Sequence, residues 1–512
     1  MNNIFERLFD VSSSTESLDN FLNENIQSLN DFYNLDYSHI APYTDSINRY
    51  ILFKEGVFHD LDFEKSYNRA FVLILLDLCE RFNLIAATPR ICSILKTNNI
   101  NIGQRLQAAL SYLYPSPKSN SDLVDKFDFI CEKIQESIEI EEDNNTKSII
   151  TFLNYYAIVI NDTRLEFVEQ VRSKVLDSIK NNKYTFLNDE HISDVISIDL
   201  QNTTSPFSLI QEIINKLFHK RIIEQVIPNV LEDVLIETDT DYSIDLSHAE
   251  KSFDSIRALS VRQSDGSAFT NRGVKILESQ KEMFAYMRRV GNMHEAKLKD
   301  ALELIPKEFP TKIKLIDWGC GQGLASMVFL EKFGSEIVSD ILLIEPSSIA
   351  LKRATLHIRK FAPLVQIKTI CKKLDELKEV DVKSKETETT IHLFSNILDI
   401  DEYSQDKLTE LIKMTQSNLN YFVCVSPYID DIKTERLDSF KRYFARSFND
   451  SFSLLLETTT TKSIHDPFWL CNNNRSTNNI SHGLHRTCQG YTESGGCFNR
   501  WTRVTRVFKA NL

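Results

Sequence analysis

The chain has 512 residues, 42% apolar and 26% charged, which excludes wholesale disorder or a fibrous repeat and implies more than one hydrophobic core. Its longest uninterrupted apolar run, Ala70–Leu76, is far below the roughly 20 residues of a bilayer span. The formal net charge of −13 hides an asymmetry: residues 1–265 carry 24 Lys+Arg against 42 Asp+Glu, whereas residues 266–512 carry 35 against 30. The opening MNNIFERLFDV places charges where a secretory signal needs an apolar stretch. Nine scattered cysteines do not form a disulfide framework. The expectation is a soluble, cytoplasmic protein with no membrane partner.

The first part of the chain reads as helix. Only Gly56 and Gly103 precede residue 266, while eleven glycines follow, so tight turns are concentrated late. Phe71, Ile74, Leu75 and Leu78 follow the i, i+3, i+4, i+7 spacing of a buried helical stripe. Val168, Val171, Val175 and Ile179 form a second stripe, and Ile210, Ile213, Ile214 and Leu217 a third. Loops are expected at the polar run Pro115–Asp122 and the acidic run Glu139–Asp143. Residues 1–228 are therefore expected to form an all-helical domain, and the acidic, polar residues 229–268 a linker.

From Ile313 the pattern changes to alternation. IKLIDWG, DILLIEP, VQIKTI, TIHLFSN, NYFVCVSP and FSLLLE are short apolar runs, with helical patterns such as SIALKRATLHIRK and DKLTELIKMTQSN between them. That predicts a mainly parallel sheet with helices on its faces.

The segment that carries chemistry is Lys314-Leu-Ile-Asp317-Trp-Gly319-Cys320-Gly321-Gln322-Gly323, a strand running into three alternating glycines with a helix directly after. Such a turn lets backbone approach a ligand closely, and the helix end adds unpaired N–H groups. Glu345 lies 22 residues beyond Gly323, at the end of the second strand, where a carboxylate can accept from a ribose diol. The dinucleotide fingerprint needs its third glycine three places after the second; here the interval is two. With Asp317 two residues before the first glycine, the segment instead resembles motif I of the class I S-adenosylmethionine (SAM)-dependent methyltransferases.

That resemblance implies an α/β fold: a Rossmann-like seven-stranded methyltransferase domain over residues 269–512, preceded by the large all-helical N-terminal domain. It implies S-adenosylmethionine as cofactor, held by Asp317, Gly319, Cys320, Gly321, Gln322, Gly323, Glu345 and Pro346, with Ser395 and Asn396 at the fourth strand's exit bordering the transferred methyl. The exit of the third strand, Lys372 to Asp375, borders the adenine. Ser395-Asn396-Ile397-Leu398 departs from the Asn/Asp-Pro-Pro-aromatic tetrad of the amino-methylating nucleic-acid enzymes. The terminal WTRVTRVFKANL supplies an antiparallel seventh strand.

Four smaller readings complete the picture. Cys320 reads as a packing residue. His294, on a helix with Tyr286, Arg288, Arg289, Asn292 and Lys297, reads as solvent-facing, with a general base as the sharper alternative. Cys471, His482, His485, Cys488 and Cys497 read as a polar surface loop, and no metal is expected. Residues 472–512 hold six Lys+Arg, one acid and interleaved aromatics, which reads first as a β-strand with an arginine-rich solvent face and otherwise as a single-stranded RNA surface, so that RNA is favoured as acceptor over protein or a small molecule. The alternative function is a non-catalytic interaction protein carrying a degenerate methyltransferase domain; the helical half then does the work.

Overall fold

A computed structural model describes the chain except for residues 1–3, 35–39, 115–119, 140–144, 201–202, 204, 220–239, 264–275, 385–388 and 461–502. The chain divides into two compact units: residues 1–225 with 270–272 and 429–435, and residues 226–269 with 273–428 and 436–512.

Among its described residues, the first unit is built from helices. Its second helix, α1 (Thr15–Tyr33), is capped by Ser14. Helix α2 (Ser66–Arg81) carries the predicted stripe, yet it is buried on every side from Ala70 to Arg81. A helix apolar around its whole circumference belongs inside a bundle. Its polar end is also inside: Asp77 and Glu80 both pair with Arg105 of α3 (Gln104–Leu113). Glu80 accepts from Asn154 Nδ2 at 3.0 Å, on α4 (Asn145–Asp162). Burial of this kind is tolerated only because each carboxylate has donors. Val168, Val171 and Val175, and Ile210, Ile214 and Leu217, are buried as their spacing predicts. The Pro115–Asp122 and Glu139–Asp143 loops fall mostly outside the described residues; Asn120–Asp125 is helical.

The second unit contains a seven-stranded sheet: β1 (Ile313–Trp318), β2 (Val338–Ile344), β3 (Gln366–Ile370), β4 (Thr389–Ser395), β5 (Leu419–Ser426), β6 (Ser453–Thr460) and β7 (Arg503–Asn511). Its order is β3-β2-β1-β4-β5-β7-β6. The first five strands are parallel, and β7 runs antiparallel between β5 and β6. Strand alternation sends Leu315, Leu343, Leu393 and Val423 to one core, and Ile316, Trp318, Phe394 and Phe422 to the other. Burial on both faces explains why the central strands β1, β4 and β5 read as largely apolar runs, whereas the edge strand β3 exposes Gln366 and Lys368. Register is marked by aromatic neighbours: Trp318 stacks on Phe394 across β1/β4, His392 on Phe422 across β4/β5, and Phe422 on Phe508 across β5/β7. Each such contact contributes about 0.5–1.5 kcal/mol beyond area burial.

The linker expected at residues 229–268 is corrected over 240–263; the remainder of that stretch lies outside the described residues. Thr240–His248 and Phe253–Gln263 are helices, and Tyr242, Leu246, Phe253, Ile256 and Leu259 join the core on one face of the sheet. Each helix has one buried side, and Tyr242 OH lies 2.6 Å from His357 Nε2. Among the described residues, no helix is long and apolar enough to cross a membrane.

Candidate cofactor site

Strand order reverses at β1: the chain passes outward to β2 and β3, then returns to β4 on β1's other side. Beyond the carboxyl ends of β1 and β4 the two connections run to opposite sides, which makes this the topological switch point, the place where ligands bind in open α/β sheets. Three glycines make the turn from β1 into α6 (Leu324–Phe333). Cys320 N–H donates to Ile344 O at the end of β2, and Gly323 N–H donates to Cys320 O at 2.7 Å, closing the turn.

The glycines are not equivalent. A Cβ on Gly319 (φ +63°) would come within 2.7 Å of Ile397 Cδ1, so this glycine is required for packing against the β4 exit. A Cβ on Gly321 (φ +51°) would meet nothing within 4 Å. Gly321 is thus the glycine whose open side can cradle a ligand.

The two carboxylates flank this turn and do different work. Asp317 is 1% exposed, and its Oδ2 accepts from both the backbone N–H (3.1 Å) and the hydroxyl (2.7 Å) of Ser326. Gly323, at the helix N-cap position, has no side chain; Asp317 supplies the missing acceptor from the preceding strand. Burial pushes its carboxyl up to about 7, against the lowering effect of the Ser326 hydrogen bonds. Glu345 instead reaches the tip of the turn: Oε2 accepts from Gly321 N–H at 3.0 Å and Oε1 from Ser347 N–H at 2.9 Å. Burial pushes it too up to about 7, opposed by those two amides. An ionised carboxylate has about four acceptor positions, so each oxygen can still take a hydroxyl donor.

The other expected residues are placed as follows. Cys320 is buried, and burial raises its thiol well above the usual range, as befits a packing residue. Gln322 is buried and donates from Nε2 to Met283 O of α5 (Gln280–Leu302), tying the turn to that helix. The Pro346 carbonyl accepts from Cys371 Sγ at the exit of β3. Lys372 is paired with buried Asp381 at 2.8 Å, and Asp375 accepts from Ser404 N–H at 3.0 Å.

At the end of β4, Asn396 adopts φ +57° and its N–H donates to Val425 O. Its side chain meets Lys297 and His294 of α5, and Ser395 Oγ lies 3.3 Å from His294 Nδ1. His294 is 3% exposed, which overturns its reading as solvent-facing. Helix α5 lies across this end of the sheet, so the side facing the strands is covered although its sequence is strongly charged. Ser326 and Ser347 were not readable as site residues. Their only signals are a serine in the first turn of the motif helix and one directly after Glu345-Pro346.

Two arginines of the basic tail are committed within the fold. Arg506 is held by Asp438 (Nε to Oδ1, 2.6 Å), and Arg503 lies 3.2 Å from Asp300. The other basic residues called there, apart from Lys509, lie outside the described residues, as do Cys471, His482, His485, Cys488 and Cys497.

No family model and no curated protein sequence matches the chain. Solved structures similar to part of it include the plantazolicin methyltransferase BpumL in complex with SAH (S-adenosylhomocysteine). That similarity has 13% identity over 44% of this chain and 87% of that one, with a TM-score of 0.26. Magnesium protoporphyrin IX methyltransferase from Synechocystis PCC 6803 with bound SAM is 13% identical over 53% of this chain and 96% of that one, TM-score 0.25. The arsenic (III) S-adenosylmethionine methyltransferase of Chlamydomonas reinhardtii is 12% identical over 42% and 73%, TM-score 0.25.

Proposed function

We propose that the chain is a SAM-dependent methyltransferase, with its cofactor in the crevice beside Gly321 and its acceptor at the exit of β4. The observation that carries this reading is the pairing of Gly321 with Glu345. An open-sided, left-handed glycine has its amide held by a carboxylate at the switch point of a parallel sheet. Glu345 would accept from the ribose hydroxyls, and Gly321 would let the adenosyl part lie against backbone. Asp317 acts one step back, fixing the turn through Ser326. When bound, SAM supplies a methyl group on a positively charged sulfur. What the protein adds is alignment, worth up to roughly 7–11 kcal/mol in the best intramolecular cases. The helical unit, with hydrophobic cores of its own, is assigned to recognition of the substrate or a partner.

Isothermal calorimetry with SAH tests the reading. Saturable binding at one site is expected, weakened by Glu345→Ala. No detectable binding at millimolar SAH by the folded wild-type protein overturns it.

A further inference from the structure

A lysine ammonium can only donate hydrogen bonds, and this fixes in turn the direction of the bonds that link Lys297, Asn396, His294 and Ser395 at the end of β4. Lys297 Nζ lies 2.8 Å from Asn396 Oδ1, so the amide oxygen faces the ammonium. The amide nitrogen then faces His294 Nε2, 2.7 Å away. An amide nitrogen donates, so Nε2 must accept; Tyr286 OH, 3.2 Å from the same nitrogen, donates to it as well. The imidazole is therefore neutral, with its proton on Nδ1, and gives that hydrogen to Ser395 Oγ at 3.3 Å. Amide and imidazole orientations are ordinarily assignments; here the cation removes the ambiguity. The result is a one-way relay: Lys297 to Asn396 to His294 to Ser395. His294, Asn396 and Lys297 are buried, whereas Ser395 is only partly so. Asn396 holds its place at a left-handed φ of +57°, a conformation that costs a non-glycine residue about 1 kcal/mol.

The last hydrogen in the relay is the Ser395 hydroxyl's own, and it needs an acceptor. We propose that this acceptor is a carboxylate, and that the carboxylate is the group methylated; the proposal rests on the transferase reading above. A relay that starts at a cation and ends at a donor is polarised to hold negative charge. The Nε2 lone pair already faces two donors, so the cluster holds no base poised to receive a proton. An amine or alcohol acceptor would have to shed a proton during attack; a carboxylate does not. The oxygen lone pair forms the new O–C bond as the S–C bond breaks with its pair left on sulfur. Anion and sulfonium give a neutral methyl ester and a thioether, and charge and protons balance. Ser395 is the catalytic residue here, touching the acceptor; His294, Asn396 and Lys297 are positioning residues.

Two measurements test this. The first needs no substrate: NMR of protein labelled with 15N-histidine, with His294→Gln to assign the signal. Above neutral pH, His294 is expected to carry its proton on Nδ1; a proton on Nε2 overturns the relay. The second uses methyl-tritiated SAM and a cell extract, divided by acid precipitation into protein and small-molecule fractions. Methyl esters release volatile methanol in alkali, so the label is expected to be alkali-volatile, and the fraction containing it identifies the source of the carboxylate. Ser395→Ala is expected to lower that label roughly tenfold or more, the effect of one charge-assisted hydrogen bond, with SAH affinity unchanged. Alkali-stable label, or labelling that Ser395→Ala leaves intact, overturns the proposal alone. Absence of SAH binding overturns the transferase reading beneath it.

Discussion

Cofactor affinity should depend on pH through Glu345, and the sign follows from which form of the carboxyl can accept. Burial places this group at about 7, opposed by the amides of Ser347 and Gly321. A ribose diol binds it by donating, so it requires the ionised form, and below about pH 7 a proton must leave before binding. Each unit of pH below that point then weakens affinity about tenfold, or 1.36 kcal/mol. At about pH 5.5 the loss is roughly 30-fold, near 2 kcal/mol; above about pH 8 affinity is flat. Calorimetry of SAH binding in buffers of different ionisation enthalpy reads both affinity and proton count. Close to one proton should be released per binding event near pH 6, and almost none above pH 8. Glu345→Gln should bind more weakly at high pH and lose the pH dependence. Asp317→Asn should retain it, because Asp317 faces Ser326 rather than the open side of the turn. Wild-type affinity that is level between about pH 5.5 and 8, or a Glu345→Gln variant that keeps the slope, refutes the assignment of Glu345 to the cofactor.

Four further outcomes follow. Gly321→Ala should fold with a loss of about 1–2 kcal/mol from its left-handed φ, yet bind SAH far more weakly because the methyl fills the open side. Gly319→Ala should be destabilised by its clash with Ile397 and partly rescued by Ile397→Ala, which thermal melts of the single and double variants can read. Asp317→Asn should gain stability over wild type as pH rises. A carboxyl lifted from 3.8 to about 7 contributes stability that is complete below its unfolded value and gone above its folded one. That difference approaches about 4 kcal/mol. Urea titrations followed by tryptophan fluorescence report on the second unit, since Trp318, Trp469 and Trp501 all lie beyond residue 268; equal slopes with pH for both proteins count against it. Asp438→Ala should cost about 1–3 kcal/mol by removing the shorter of the two carboxylate partners of buried Arg506, with Glu457 at 3.4 Å left to it, and a melting temperature within a degree or two of wild type would show the pair to be dispensable.

The sheet was legible because its signals are local. The central strands β1, β4 and β5 are buried on both faces and so read as apolar runs, and the glycine turn with Asp317 is contiguous in sequence. The helices at Thr240–His248 and Phe253–Gln263 were less so. Their charge and polarity read as a connection, although Phe253, Ile256 and Leu259 recur every three residues, the spacing of a buried helical side. The tail's arginines read two ways in sequence, as a basic surface or as part of a strand. Arg503 and Arg506 look like a phosphate-binding surface in sequence, but their partners, Asp300 and Asp438, are about 200 and 70 residues away.

The same distinction separates the two halves of the candidate site. Glu345 could be found because the βαβ spacing places a strand end about 20 residues after the turn, and its contact with Gly321 follows from neighbouring parallel strands. His294 could not. Nothing in Gly291-Asn292-Met293-His294-Glu295 says which side of α5 is covered; that depends on β4, about 100 residues later, delivering Asn396 at a left-handed φ beside it. Once the two meet, Lys297 three residues along the helix determines the amide's orientation, and the amide determines the imidazole's. The proposed cofactor recognition is therefore written locally, in a turn and a strand end. The proposed acceptor chemistry resides in the direction of a few hydrogen bonds between distant segments, where a cation's inability to accept carries the information.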